Sequence, residues 1–191
     1  PTRVKNSNKA CISVRDWRFD ERDAQHYYAM IKDFARILIS KGYNVVFLST
    51  CQGVDGYIDD SSVAKTIVDS LEDELRGNIS INRRYFNLFD LQIELSEFDL
   101  VVGTRLHMCL LSILNDVPAF NVSYEAKGKE CYRYLNAESW TVDYNDNLIA
   151  ASDKFGHFVN EIEKARLHLT ERTDSCHIKS IAAFERAILC V

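Results

Sequence analysis

The sequence predicts an α/β fold, doubly wound around a mainly parallel sheet, with a helical C-terminal extension. Three observations lead there. Short apolar runs recur from Lys9 to Val142. Stretches whose apolar residues repeat at helical spacing separate them. Several of the runs are apolar throughout, as in strands covered on both faces, rather than alternating. Strands that alternate with helices imply βαβ units, a parallel sheet and right-handed crossovers.

The elements follow in order. Residues 9–15, KACISVR, read as the first strand. From Asp23 the pattern turns helical, with Tyr27, Ile31, Phe34, Ala35 and Leu38 on one face, and Lys41-Gly42 closes that helix. Asn44 to Ser49 is a strand. A second helix follows Ser61 and Ser62 with Val63, Ile67, Leu71 and Leu75 on one face, and Gly77 is expected to end it. A short strand at Ile79, a helix holding Leu88, Leu91 and Leu95, and a strand from Leu100 to Gly103 come next. Leu106 to Leu114 is apolar nearly all round and reads as a buried helix. Asn115-Asp116 turns the chain into a strand from Ala119. A short helix over Lys129–Leu135 leads to a last strand at Trp140–Val142. The tail from Leu148 is helical, with a break expected near Thr173 and a final helix from Ile178. Residues 1–145 are thus expected to form the sheet domain, and 146–191 its helical extension.

Composition narrows the function classes. The chain has 191 residues, enough for one domain with a sizeable core. Its net charge of -5 gives no broad attraction to nucleic acid, so anion binding must rest on local arginines. None of the six cysteines forms a CxxC, and no Cys/His cluster has zinc spacing, which favours reduced structural thiols. Asp59-Asp60 and Glu72-Asp73-Glu74 read as solvated acidic faces, and no metal or cofactor is expected. No apolar run reaches the ~18 residues of a membrane span. The sequence begins at Pro1, so a domain cut from a longer protein or a processed product is expected.

In an open parallel sheet, ligands bind beyond the carboxyl ends of the strands, where strand order reverses. Arg15 and Asp16 follow the first strand; Thr50, Cys51 and Gln52 follow the second. Thr104, Arg105 and His107 follow Gly103. Ser123, Tyr124, Glu125 and Lys127 follow the strand from Ala119. A guanidinium grips carboxylate or phosphate through two parallel hydrogen bonds. Arg105 and His107 fall in the expected first turn of a helix, whose free N–H groups favour anions. Singly, Arg15 suits an ion pair with Asp16 or Asp20, and His107 suits a core histidine. Together at strand ends they suit a small, multiply charged anion.

The stretch VVGTRLHMCLLSILNDVPAFNVSYEAK, Val101 to Lys127, resembles the polysaccharide pyruvyl transferase family. It has a strand ending in Gly, then Arg-Leu-His opening a helix, a Val-Pro turn, a strand, and Ser-Tyr-x-x-Lys. Most of residues 9–145 share the likeness. The resemblance implies the C-terminal, Rossmann-like half of a GT-B-type fold, with the N-terminal half-domain as its missing partner. It implies transfer of a pyruvyl group from phosphoenolpyruvate to two hydroxyls of a sugar or lipid-linked saccharide, closing a ketal. Arg15 and Arg105 would bind the donor and His107 would be the general acid; an imidazole can give up a proton near neutral pH. Gln52, Tyr124, Glu125 and Lys127 complete the expected binding set. A cytoplasmic site of action, the inner membrane face included, goes with that reading. The alternatives are a GT-B glycosyltransferase using a nucleotide-sugar, with Glu125 as its ribose-binding carboxylate, and a non-catalytic anion-binding domain.

Overall fold

A computed structural model describes residues 7–17, 21–51 and 58–189, with side chains through residue 181. Six strands form one sheet: β1 (Lys9–Ser13), β2 (Asn44–Leu48), β3 (Ile79–Asn82), β4 (Leu100–Gly103), β5 (Ala119–Ser123) and β6 (Thr141–Asp143). Their order is β3-β2-β1-β4-β5-β6, and every pair is parallel. The chain therefore walks outward from β1 to β3, returns, and walks the other way from β4. Strand order reverses between β1 and β4, and this is where a doubly wound sheet opens a crevice. The register pairs Ser13 with Gly103, so Arg15 and Arg105 each lie two residues beyond the same rung.

Eight helices flank the sheet among the described residues: α1 (Ala24–Ser40), α2 (Asp60–Asp69), α3 (Asp73–Arg76), α4 (Leu88–Leu95), α5 (Leu106–Ile113), α6 (Ala126–Tyr134), α7 (Leu148–Asn160) and α8 (Ile162–Leu189). α1 starts where Asp23 caps the free N–H groups of Gln25 and His26. It ends in a Schellman turn: Gly42 adopts φ +86°, and the N–H groups of Gly42 and Tyr43 return to Ile39 and Leu38. Its face of Tyr27, Met30, Ile31, Phe34, Ala35 and Leu38 is wholly buried. Phe34 meets Phe155 of α7 and Phe120 of β5, with ring centroids 4.4 and 5.7 Å apart.

Three helical expectations need correction. α2 stops at Asp69, capped by Ser70, and a separate turn at Asp73–Arg76 precedes Gly77; the Ser70 hydroxyl bonds back to the Ile67 carbonyl and closes the helix early. The tail breaks at Glu161, not Thr173. Phe155 and Phe158 bury against the α1 side, whereas Ala165 and Leu169 are buried on α8, which packs on α5. One straight helix cannot serve both, so the chain bends between them. Thr173 is accommodated inside α8 because its hydroxyl bonds the Leu169 carbonyl. Lastly, α5 is not buried all round: Met108, Cys109 and Ile113 are covered, but His107 is exposed and Leu114, which caps the helix, is 62% exposed.

Gly103 lets α5 approach β4. A Cβ at this position would lie 2.5 Å from the Cys109 sulfur. No helix among the described residues is long and apolar enough to cross a membrane.

Candidate active site at the sheet switch point

The carboxyl ends of β1 and β4 are held together by two side chains from other elements. The Tyr27 hydroxyl, from α1, accepts the Arg15 backbone N–H at 3.2 Å and shares a 2.7 Å hydrogen bond with the Thr104 hydroxyl. Burial pushes the Tyr27 phenol well above its usual range, so it stays neutral at any working pH. From the first residue of α2, the Asp60 carboxylate accepts the Asp16 backbone N–H at 2.8 Å. It also accepts two hydrogen bonds from Arg105, Nε at 2.5 Å and Nη2 at 3.0 Å. Burial works against the charge on Arg105, but the Asp60 bonds outweigh it and hold the guanidinium above its ordinary value.

This corrects the reading of Asp59-Asp60 as a solvated face. Asp60 is wholly buried and Asp59 nearly so. Asp59 caps α2, accepting from the Ser61 N–H and from the Ser61 and Ser62 hydroxyls. In a doubly wound sheet every helix that follows a strand begins at the carboxyl edge, so the start of α2 faces the crevice rather than solvent. Glu72-Asp73-Glu74 is exposed, with Glu72 paired to Arg36 at 2.7 Å.

Arg105 is also not in the first turn of α5. It is the N-cap, with extended φ -83° and ψ 111°, and this turns its side chain back toward Asp60. His107 is the second residue of α5. It is exposed, and among the described residues it makes no hydrogen bond, so it is not a core histidine.

Arg15 lies against Tyr124. Its Nη1 donates to the Tyr124 hydroxyl at 2.6 Å, and its guanidinium carbon stands 4.4 Å from the ring centroid. The Arg15 Nε is buried with no hydrogen-bond partner among the described residues. Lys127 pairs with Glu125 at 2.8 Å and stands 5.9 Å from the same ring. The Lys127 bond, helped by Arg15 and Arg22, lowers the Glu125 carboxyl. Gln52 and Asp20 lie outside the described residues.

Sequence reasoning missed Arg22. Its guanidinium carbon stands 5.4 Å from the Tyr124 ring centroid, 5.7 Å from that of Tyr144 and 6.0 Å from that of Trp17, and it donates to the Tyr124 carbonyl. Nothing in its local sequence, one residue ahead of the Asp23 cap, marked it. Arg15, Arg22 and Lys127 thus gather around one tyrosine, beside Arg105. The described concavity here is small and lies beside Thr104, Asn121, Ser123 and Gly128. A roomier hollow of about 470 Å³, lined by Trp140, Lys154, His157 and His168, sits at the amino ends of the strands, away from the arginines. Among the described residues, no three His, Cys, Asp or Glu side chains could hold a metal ion.

The chain is 34% identical over 145 residues to the amylovoran biosynthesis protein AmsJ of Erwinia amylovora, an alignment covering 73% of this chain and 34% of AmsJ. It spans about a third of that relative's length. Among solved structures, a Thermobaculum terrenum O-GlcNAc transferase mutant superposes with a TM-score of 0.59 at 13% identity, over 90% of this chain and 33% of that one. A mutant of S. aureus TarM gives 0.54 at 19% identity, over 96% and 36%. At such identities these likenesses establish the GT-B-type fold and nothing further. The polysaccharide pyruvyl transferase family model matches residues 3–126, which carry both β1 with Arg15 and the Arg105–His107 segment. The chain therefore belongs to the polysaccharide pyruvyl transferase family.

Proposed function

We propose that this chain forms the donor side of an enzyme that transfers a pyruvyl group from phosphoenolpyruvate to a saccharide, closing a pyruvate ketal. One observation carries the reading. Arg15, whose buried Nε has no acceptor among the described residues, and the Arg105–His107 segment leave adjacent strands at the point where strand order reverses. A carboxylate and a phosphate on one small molecule match donors arranged this way.

The chemistry assigns each group a role. A sugar hydroxyl attacks C2 of phosphoenolpyruvate while His107 delivers a proton to the methylene carbon, which becomes a methyl group. The second hydroxyl then takes the same carbon as the C–O bond to phosphate breaks. Of the two hydroxyl protons, one makes good the proton that His107 gave to carbon and the other leaves with inorganic phosphate, so the products are the ketal and phosphate. Arginines beside the departing group stabilise its charge. Tyr124 holds Arg15 in place, and the Glu125–Lys127 pair borders the same ring. The saccharide acceptor would meet this surface from a second half-domain, the cleft being the usual site between two such halves. We assign the reaction to the cytoplasm, where phosphoenolpyruvate is made.

The test is calorimetric titration of the 191-residue chain with phosphoenolpyruvate, uridine diphosphate and inorganic phosphate. Phosphoenolpyruvate should bind weakly but ahead of the other two, and Arg15→Ala should abolish the preference. No ketal should form with this chain alone. Preferential binding of uridine diphosphate would overturn the reading in favour of nucleotide-sugar transfer.

A further inference from the structure

We infer that Asp60 is a positioning residue: it fixes the spacing of Arg15 and Arg105 and cancels the net charge of Arg105, so that the two arginines play unlike parts toward the donor. This role rests on the donor assignment proposed above.

Burial sets the first condition. Asp60 is wholly inaccessible, and a buried carboxylate persists only when paired and hydrogen-bonded. All its described partners belong to the site. Oδ1 accepts from the Asp16 N–H and from Arg105 Nη2, and Oδ2 accepts from Arg105 Nε. The Asp16 carboxylate in turn accepts the Asp59 N–H at 3.0 Å. The exit of β1 and the start of α2 are thus stitched reciprocally, and the same Asp60 carboxylate holds the exit of β4. The β1–β4 ladder ends at the bond from the Thr104 N–H to the Ser13 carbonyl. Beyond that rung, Asp60 fixes the distance between the two chain exits, with Tyr27 as the second tie.

Charge follows from the same contacts. The planar fork of Arg105 is occupied on one side by Asp60. Its Nη1 makes no hydrogen bond among the described residues and points the remaining donors elsewhere. Arg105 with Asp60 is neutral as a pair. It offers direction rather than charge. Arg15, held by the Tyr124 hydroxyl rather than by a carboxylate, offers charge. A site built this way should favour an anion of one shape over simple phosphate, because part of its grip is geometric.

The test uses Asp60→Asn in the 191-residue chain, followed by proton–nitrogen spectra of arginine Nε–H groups and by titration. In the parent, the Arg105 Nε–H, identified as the signal that Arg105→Lys removes, should exchange slowly and shift downfield. In Asp60→Asn the signal should collapse into fast exchange. The variant should bind inorganic phosphate at least as tightly as the parent, since a charge is uncovered. Its preference for phosphoenolpyruvate over phosphate should fall by ~10-fold or more. An unchanged preference, or equal losses for both ligands in a folded variant, would overturn the inference. If the variant does not fold, the parent decides: a fast-exchanging Arg105 Nε–H sinks the inference, and a protected one that responds to phosphoenolpyruvate but not to phosphate upholds it. A parent that binds neither ligand defeats the donor assignment instead, and the Nε–H signal still tests the Asp60–Arg105 link.

Discussion

Replacing Gly103 by alanine should disturb the site through packing alone. The new Cβ would lie 2.5 Å from the Cys109 sulfur, where carbon contacts begin near ~3.5 Å, so α5 and β4 must part by about 1 Å. Cys109 has no room to yield: it is fully buried, and its thiol lies against the Gly103 and Phe120 carbonyls. Overpacking of this kind costs about 1–3 kcal/mol, and the loss of glycine's freedom in the unfolded chain returns roughly 0.4–1 kcal/mol. The net is a destabilisation of about 1–2 kcal/mol, or ~2–8 °C in Tm for a chain of this size. Urea unfolding measures it. Cys109→Ala removes the opposing sulfur, so the double variant Gly103→Ala/Cys109→Ala should be more stable than the sum of the single effects by about 1 kcal/mol or more. The same displacement moves the start of α5, and an error of about 1 Å at a reacting group costs ~100-fold in turnover. A Gly103→Ala protein as stable as the parent, or a double variant that is merely additive, would refute the close-approach argument.

Other perturbations separate the roles of neighbouring groups. In a protein of full family length, His107→Gln should lower turnover by ~100-fold or more with donor affinity kept, whereas Arg105→Lys should mainly weaken the donor; near-normal turnover in folded His107→Gln would make the histidine dispensable. Burial alone would raise the Asp59 carboxyl, but hydrogen bonds from Ser61 and Ser62 lower it below the ordinary aspartate value. Its contribution is therefore complete above that value and lost as pH falls through the folded one. Asp59→Ala should cost about 1 kcal/mol at pH 7 and progressively less in acid, and a pH-independent gap in urea midpoints would contradict this. Burial pushes the Cys109 thiol up to about 12 and that of Cys11 higher still. Iodoacetamide should therefore label Cys51 and Cys176 in the folded protein well before either, and mass spectrometry showing equal rates would count against the buried-thiol assignment.

The sheet was legible because β1, β2, β4 and β5 are compact, mostly apolar runs bounded by polar turns, and parallel strands covered on both faces leave that imprint. The carboxyl-edge rule then brought Arg15, Arg105 and Tyr124 to one region. What remained hidden depended on partners distant in sequence. Asp60 looks like any acidic helix start until Arg105, 45 residues on, folds against it. Arg22 sits in an unpatterned stretch, and only the aromatic cluster of Trp17, Tyr124 and Tyr144 gives it a place. The bend at Glu161 left no local mark, because the need to pack on two surfaces decided where the helix broke.

Trp17 has a consequence of another kind. It is one of two tryptophans in the chain, and its ring lies 4.2 Å from Tyr27 and 4.9 Å from Tyr144, with Arg22 close by. Trp140 is at the far end of the sheet, against Phe158 and His168. Indole emission responds to nearby charge and to the polarity of its pocket. The chain therefore carries a native fluorophore beside the arginines and a second one remote from them. A Trp140→Phe protein would report on the arginine cluster in a single colour, with no label attached.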